Sequence, residues 1–146
     1  MGRIKFAIFL ICSGTLNAVS CAKGSKISHG NINARIDYPI SWNDLLKQDV
    51  DHYLVLVYSE TCAHCKEVLD SNHSFPSDTL SRLFCITFDS SISVLPNPEF
   101  TIGASNLEDV WIYAVPTLIE IKDQTVINNV YGSDEVLSLL YSFKIC

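Results

Sequence analysis

Blocks of apolar residues and polar breaks alternate from about residue 40 onward, and the spacing of the apolar positions changes from block to block. The stretch "YLVLVYS", Tyr53 to Ser59, is a continuous apolar and partly β-branched run, which suits a strand covered on both faces of a sheet. A second run in "LSRLFCITFDSS" reads the same way, and "PTLIEI" and "TVINNVY" supply two more strands, joined by the turn "KDQT" into an antiparallel hairpin. Helical spacing lies between them. Ser41 stands as an N-cap before Trp42, Leu45 and Leu46, with Asp44 three residues on. Cys65, Val68 and Leu69 share one helical face after Cys62. "SNLEDVWIYAV" offers a cap and a short helix. At the end of the chain, Ser133 caps a helix whose Asp134 and Glu135 suit the positive end of its dipole, while Val136, Leu137, Leu139, Leu140 and Phe143 form its apolar stripe.

Residues 91–104 contain two prolines and show no period, so they read as an irregular insertion. The predicted order is therefore helix, strand, helix, strand, helix, strand, strand, helix. Such a string implies an α/β domain with a central mixed β-sheet and helices on both faces.

The mean hydropathy of +0.23 over 146 residues is high for such a domain, and the N-terminus accounts for part of it. Arg3 and Lys5 precede the apolar run Phe6 to Cys12, and small and polar residues follow, the layout of a secretory signal over residues 1–20. The run falls short of the roughly 20 apolar residues that a membrane-spanning helix needs. Ala18 and Ser20 before Cys21 suit cleavage by an ordinary signal peptidase. "NAVSC" is also similar to a bacterial lipobox, with Ala18 where leucine is usual, which makes Cys21 a candidate lipidation site; a soluble secreted chain that begins with cysteine is the alternative. Residues 21–37, rich in Gly, Ser, Asn and Lys, read as a flexible tether, and residues 38–146 as the folded domain. Removing residues 1–20 leaves eight Lys/Arg against sixteen Asp/Glu, a formal charge of −8. With no basic cluster, such a surface argues against nucleic acid as a partner.

Candidate chemistry concentrates in "SETCAHCK". Cys62 and Cys65, three apart at a strand-to-helix junction, place one sulfur where free backbone amides and the helix dipole stabilise a thiolate, and the other one turn further in. This assigns attack to Cys62 and resolution to Cys65. His64 lies between them, and a protonated imidazole beside the thiolate favours the reduced form, which tilts the pair toward oxidation of its substrates.

These features resemble the thioredoxin superfamily over about residues 40 to 144. The likeness rests on the strand "YLVLVYSETC" running into Cys62-Ala63-His64-Cys65, on "AVPTLIEI" with Val115-Pro116-Thr117, and on "KDQTVINNVYG" before a last helix. It implies a thioredoxin-like fold and a cis Pro116, with Val115 presenting its backbone beside Cys62 to an incoming peptide. It also implies protein thiols or disulfides as substrates, with the dithiol itself as redox group and no dissociable cofactor. Departures from thioredoxin are Thr61 before the first cysteine, Ala63-His64 between the two, and Leu56 in place of a buried aspartate. The x-His pair is similar to bacterial Dsb-type oxidases, without room for their helical insertion. The expectation is an exported thiol-disulfide oxidoreductase, leaning to oxidase or isomerase, anchored to the membrane by lipid on Cys21 and served by a membrane redox partner. The alternative is a non-catalytic binding or transport accessory module with a fixed Cys62–Cys65 disulfide. A structural zinc site wants a second C-x-x-C-like pair, which the chain lacks, and His29, His52 and His73 have no spacing that replaces it. Cys85 reads as a small buried hydrophobe, and Cys146, the terminal residue, as either an exposed thiol or a partner for Cys85.

Overall fold

The computed structural model describes residues 38–145, so the proposed signal segment, the tether, Cys21, His29 and Cys146 lie outside the described residues. Four strands form one mixed sheet: β1 (His52–Tyr58), β2 (Leu83–Thr87), β3 (Thr117–Lys122) and β4 (Thr125–Tyr131), in the order β2-β1-β3-β4. The pairing of β1 with β2 is parallel, while β1–β3 and β3–β4 are antiparallel. The α/β class and the central mixed sheet are those the apolar pattern predicts. Residues 38–40 extend the sheet beyond β2, where the Ile40 amide donates to the Cys85 carbonyl at 2.9 Å and Cys85 donates to Tyr38 at 3.0 Å.

The unbroken apolar run of β1 is explained by its central position, because each of its faces meets a separate core. Leu54 and Leu56 turn to the face covered by α1 (Ala63–Asp70), α2 (Ser77–Leu80) and α3 (Ser133–Ser142), packing against Val68, Phe75, Val136 and Leu140. Tyr53, Val55 and Val57 turn to the opposite face. There they pack against Leu45, Leu46, Ile92, Val110 and Ile112. Burying each such side chain is worth about 1.5–3 kcal/mol.

Helical elements cover both faces, but on the second they are single 3₁₀ turns, Trp42–Asp44 and Leu107–Asp109, rather than α-helices. Two expected caps also differ. Ser41 makes no cap to the backbone and instead donates to the Asp44 carboxylate at 2.6 Å. Gly132, not Ser133, is the N-cap of α3, with φ of 88° and ψ of 152°. That backbone favours glycine, and a Cβ there would lie 3.1 Å from the Glu135 carboxylate. The short α2 had no periodic signal, since four residues are too few to show one. The hairpin turn takes positive φ at both Asp123 and Gln124, 50° and 60°, the backbone of a tight two-residue turn.

Candidate active site

β1 ends at Tyr58, and after a short turn the chain enters α1 with Cys62 as its N-cap, in extended backbone at φ −87° and ψ 119°. Its sulfur takes the place that a serine or aspartate oxygen usually fills: it accepts the Cys65 backbone amide at 3.3 Å. Cys65, one turn into the helix, is buried, and its sulfur accepts the Ser59 amide at 3.4 Å. Cys62, Cys65 and Cys85 are all free thiols.

The two sulfurs differ electrostatically. Burial pushes the Cys62 thiol up, but hydrogen bonds from the Cys65 thiol and from the Cys65 and His64 amides outweigh it and hold Cys62 below its ordinary value of 9.0. Burial and the bond to Cys62 push Cys65 up to about 11. Of the two sulfurs, the outer one is therefore the first to lose its proton.

Facing Cys62 is a loop that arrives 53 residues later. The Cys62 thiol reaches the Val115 carbonyl at 3.5 Å, and the Val115–Pro116 bond is cis. Several bonds hold this loop. The Thr117 hydroxyl donates to Ala114 at 2.5 Å, and the Gly132 amide donates to Pro116 at 3.0 Å. Further back, the buried Thr101 hydroxyl both accepts the Trp111 amide and donates to the Trp111 carbonyl, each at 2.9 Å, and Asn129 donates to that same carbonyl at 2.9 Å.

The structure thus brings together Cys62, Cys65, Val115 and Pro116. His64 also stands at the site, through its backbone: its amide is one of the groups that lower Cys62, while its ring is 75% exposed and lies 3.9 Å from the Glu67 carboxylate. Position 56 of β1 is a fully buried leucine, so it offers the dithiol no carboxylate. His52 lies at the opposite end of β1 and bonds Glu120 at 2.8 Å, while His73 sits in an exposed turn. Among the described residues no three His, Cys, Asp or Glu side chains are grouped to hold a metal. Sequence reasoning takes the tyrosines as core or groove lining, and what it missed is the Ser59 amide and the pairing of two exposed tyrosines, Tyr113 and Tyr131, beside the loop. Neither carries a local signal, since each matters only through what folding brings next to it.

No protein-family model and no curated protein matches the chain. Solved structures to which it is similar include a Malassezia sympodialis thioredoxin at 13% identity and TM-score 0.47, covering 77% of this chain and 96% of that one. A Plasmodium falciparum thioredoxin follows at 15% identity and TM-score 0.45, over 73% and 99% of the two chains. Chlamydomonas reinhardtii thioredoxin f2 is similar at 16% identity and TM-score 0.44, over 70% and 91%.

Proposed function

We propose that this chain is a thiol-disulfide oxidoreductase working through Cys62 and Cys65 on protein substrates. The observation that carries the reading is the position of the Cys62 sulfur, at the amide end of α1 and 3.5 Å from the Val115 carbonyl. In the reducing direction, the Cys62 thiolate attacks one sulfur of a substrate disulfide, forming a mixed disulfide and releasing the other sulfur as a thiolate. Cys65 then gives up its proton and attacks the Cys62 sulfur. The Cys62–Cys65 disulfide closes and the substrate leaves as a dithiol, two electrons richer. The oxidase direction is the same sequence in reverse, and an external redox partner restores the starting state. Stabilising the Cys62 thiolate stabilises the reduced enzyme, which favours the oxidase or isomerase role.

The decisive assay is exchange between a small dithiol and a peptide disulfide. Cys62→Ser should abolish turnover, and Cys65→Ser should accumulate a mixed disulfide on Cys62. Turnover that survives Cys62→Ser would sink the reading; its absence in the wild type would leave the accessory-module alternative.

Export and lipid anchoring form a second part of the proposal, supported by Arg3, Lys5, the apolar run and the lipobox-like "NAVSC". Cys21→Ser should move the chain from the membrane fraction to the soluble fraction. An unchanged distribution would remove Cys21 as the anchor.

A further inference from the structure

Tyr113 and Tyr131 are 44% and 41% exposed, yet their rings meet at a centroid distance of 4.7 Å with an interplanar angle of 52°. Folding puts this pair next to the Val115–Pro116 segment that meets Cys62. Tyr113 is two residues before Val115, whose carbonyl meets Cys62, and Tyr131 pairs in register with Thr117, the residue after Pro116. The Gly132 amide, next to Tyr131, bonds the Pro116 carbonyl at 3.0 Å. Neither phenol hydroxyl has a hydrogen-bond partner among the described residues, and the exposure of both residues leaves them within reach of a ligand.

Charge points to the kind of ligand. Residues 38–145 contain five Lys/Arg against fifteen Asp/Glu, a formal −10. Near the dithiol, Glu60 and Glu67 are exposed, while Lys66, the one Lys or Arg of α1, is tied to Asp70 at 2.6 Å. A field of this sign draws cationic polypeptides in and repels anionic ones. Two exposed aromatic faces are suited to a guanidinium or ammonium group.

We propose that the Tyr113–Tyr131 pair is a side-chain subsite of the active site, selecting polypeptides that carry arginine or lysine next to the reacting cysteine. This rests on the oxidoreductase reading above and adds a substrate class to it. The test uses the full chain and peptides of one sequence with serine in place of cysteine, flanked by Arg, Phe or Glu, titrated by calorimetry or NMR. The Arg peptide should bind about fivefold more tightly than the Phe peptide. The Glu peptide should bind least. In the Tyr113→Leu, Tyr131→Leu double variant, which keeps apolar bulk, the advantage of Arg over Phe should vanish. Equal or tighter binding of the Phe peptide by the wild type would overturn the subsite, as would an Arg preference that survives both substitutions. The wild-type comparison stands even if the double variant does not fold. Because the serine peptides bind without exchange, a wild type that prefers Arg but exchanges no small dithiol would refute the redox reading alone.

Discussion

The Cys62 sulfur and the Val115 carbonyl oxygen are 3.5 Å apart although 53 residues separate them in the chain. On the proposed reading, a polypeptide laid along Val115 would meet the sulfur that the Cys65 thiol and the Cys65 and His64 amides make more acidic. Four predictions follow from the surroundings of that contact and of the core beneath it.

Alkylation of Cys62 should rise with pH along a titration centred below the ordinary thiol value of 9.0, because the Cys65 thiol and the two amides outweigh burial there. Cys65, pushed to about 11, should stay silent through that window. Mass spectrometry of the alkylated chain across pH checks both. Equal labelling of the two at neutral pH would contradict the assigned roles.

His64→Ala keeps the backbone amide that Cys62 uses and removes only a ring that is 75% exposed and next to Glu67. The Cys62 titration should therefore stay close to that of the wild type. A large upward move would show that the imidazole itself stabilises the thiolate, as the sequence pattern suggests.

Thr101→Val preserves shape but removes the hydroxyl that satisfies both the amide and the carbonyl of Trp111. Leaving that amide buried without a partner should cost about 2 kcal/mol in urea denaturation. Exchange turnover should fall as well, since the same segment leads to Val115. A cost within measurement error would mean that Trp111 is held by other contacts.

Alkaline stability should be set in part by Cys85, whose thiol burial pushes from 9.0 up to about 12. With a raised folded value, its contribution is fully present below pH 9 and is lost as pH rises toward 12, because the unfolded thiol ionises first. The loss approaches about 1.4 kcal/mol per pH unit. Burial raises Tyr53 from 10.0 to about 12 as well, with the Gln48 amide partly opposing, so it acts in the same direction above pH 10. Denaturation midpoints should decline less steeply above pH 9 in Cys85→Ala than in the wild type; parallel curves would exclude Cys85 as the titrating group.

Strand identity was legible in the sequence, because a central strand buried on both faces needs apolar residues at consecutive positions, as in Tyr53 to Tyr58. So was the sulfur-bearing helix start, since a spacing of three puts both cysteines on a single turn. Helix type on the second face was less legible. The residues around Leu45 and Leu107 show apolar spacing that a single 3₁₀ turn satisfies as well as an α-helix. The cap of α3 was misread for a related reason: Ser133 has the right side chain, but the preceding backbone turns at a positive φ that Gly132 alone supplies easily.

By itself, then, the sequence determined which segments are strands, where the dithiol begins a helix and which cysteine is the inner one, because these depend on residues within a turn or two of each other. Tertiary structure alone decided the order β2-β1-β3 across the sheet and the meeting of Tyr113 with Tyr131, while the approach of Val115 to Cys62 follows from the family resemblance and from no local pattern. Those contacts join residues 18 to 70 positions apart, from Tyr113–Tyr131 to His52–Lys122, and no local periodicity encodes them. They arise from β1 occupying the middle of the sheet, where closing two cores at once fixes what stands above its end.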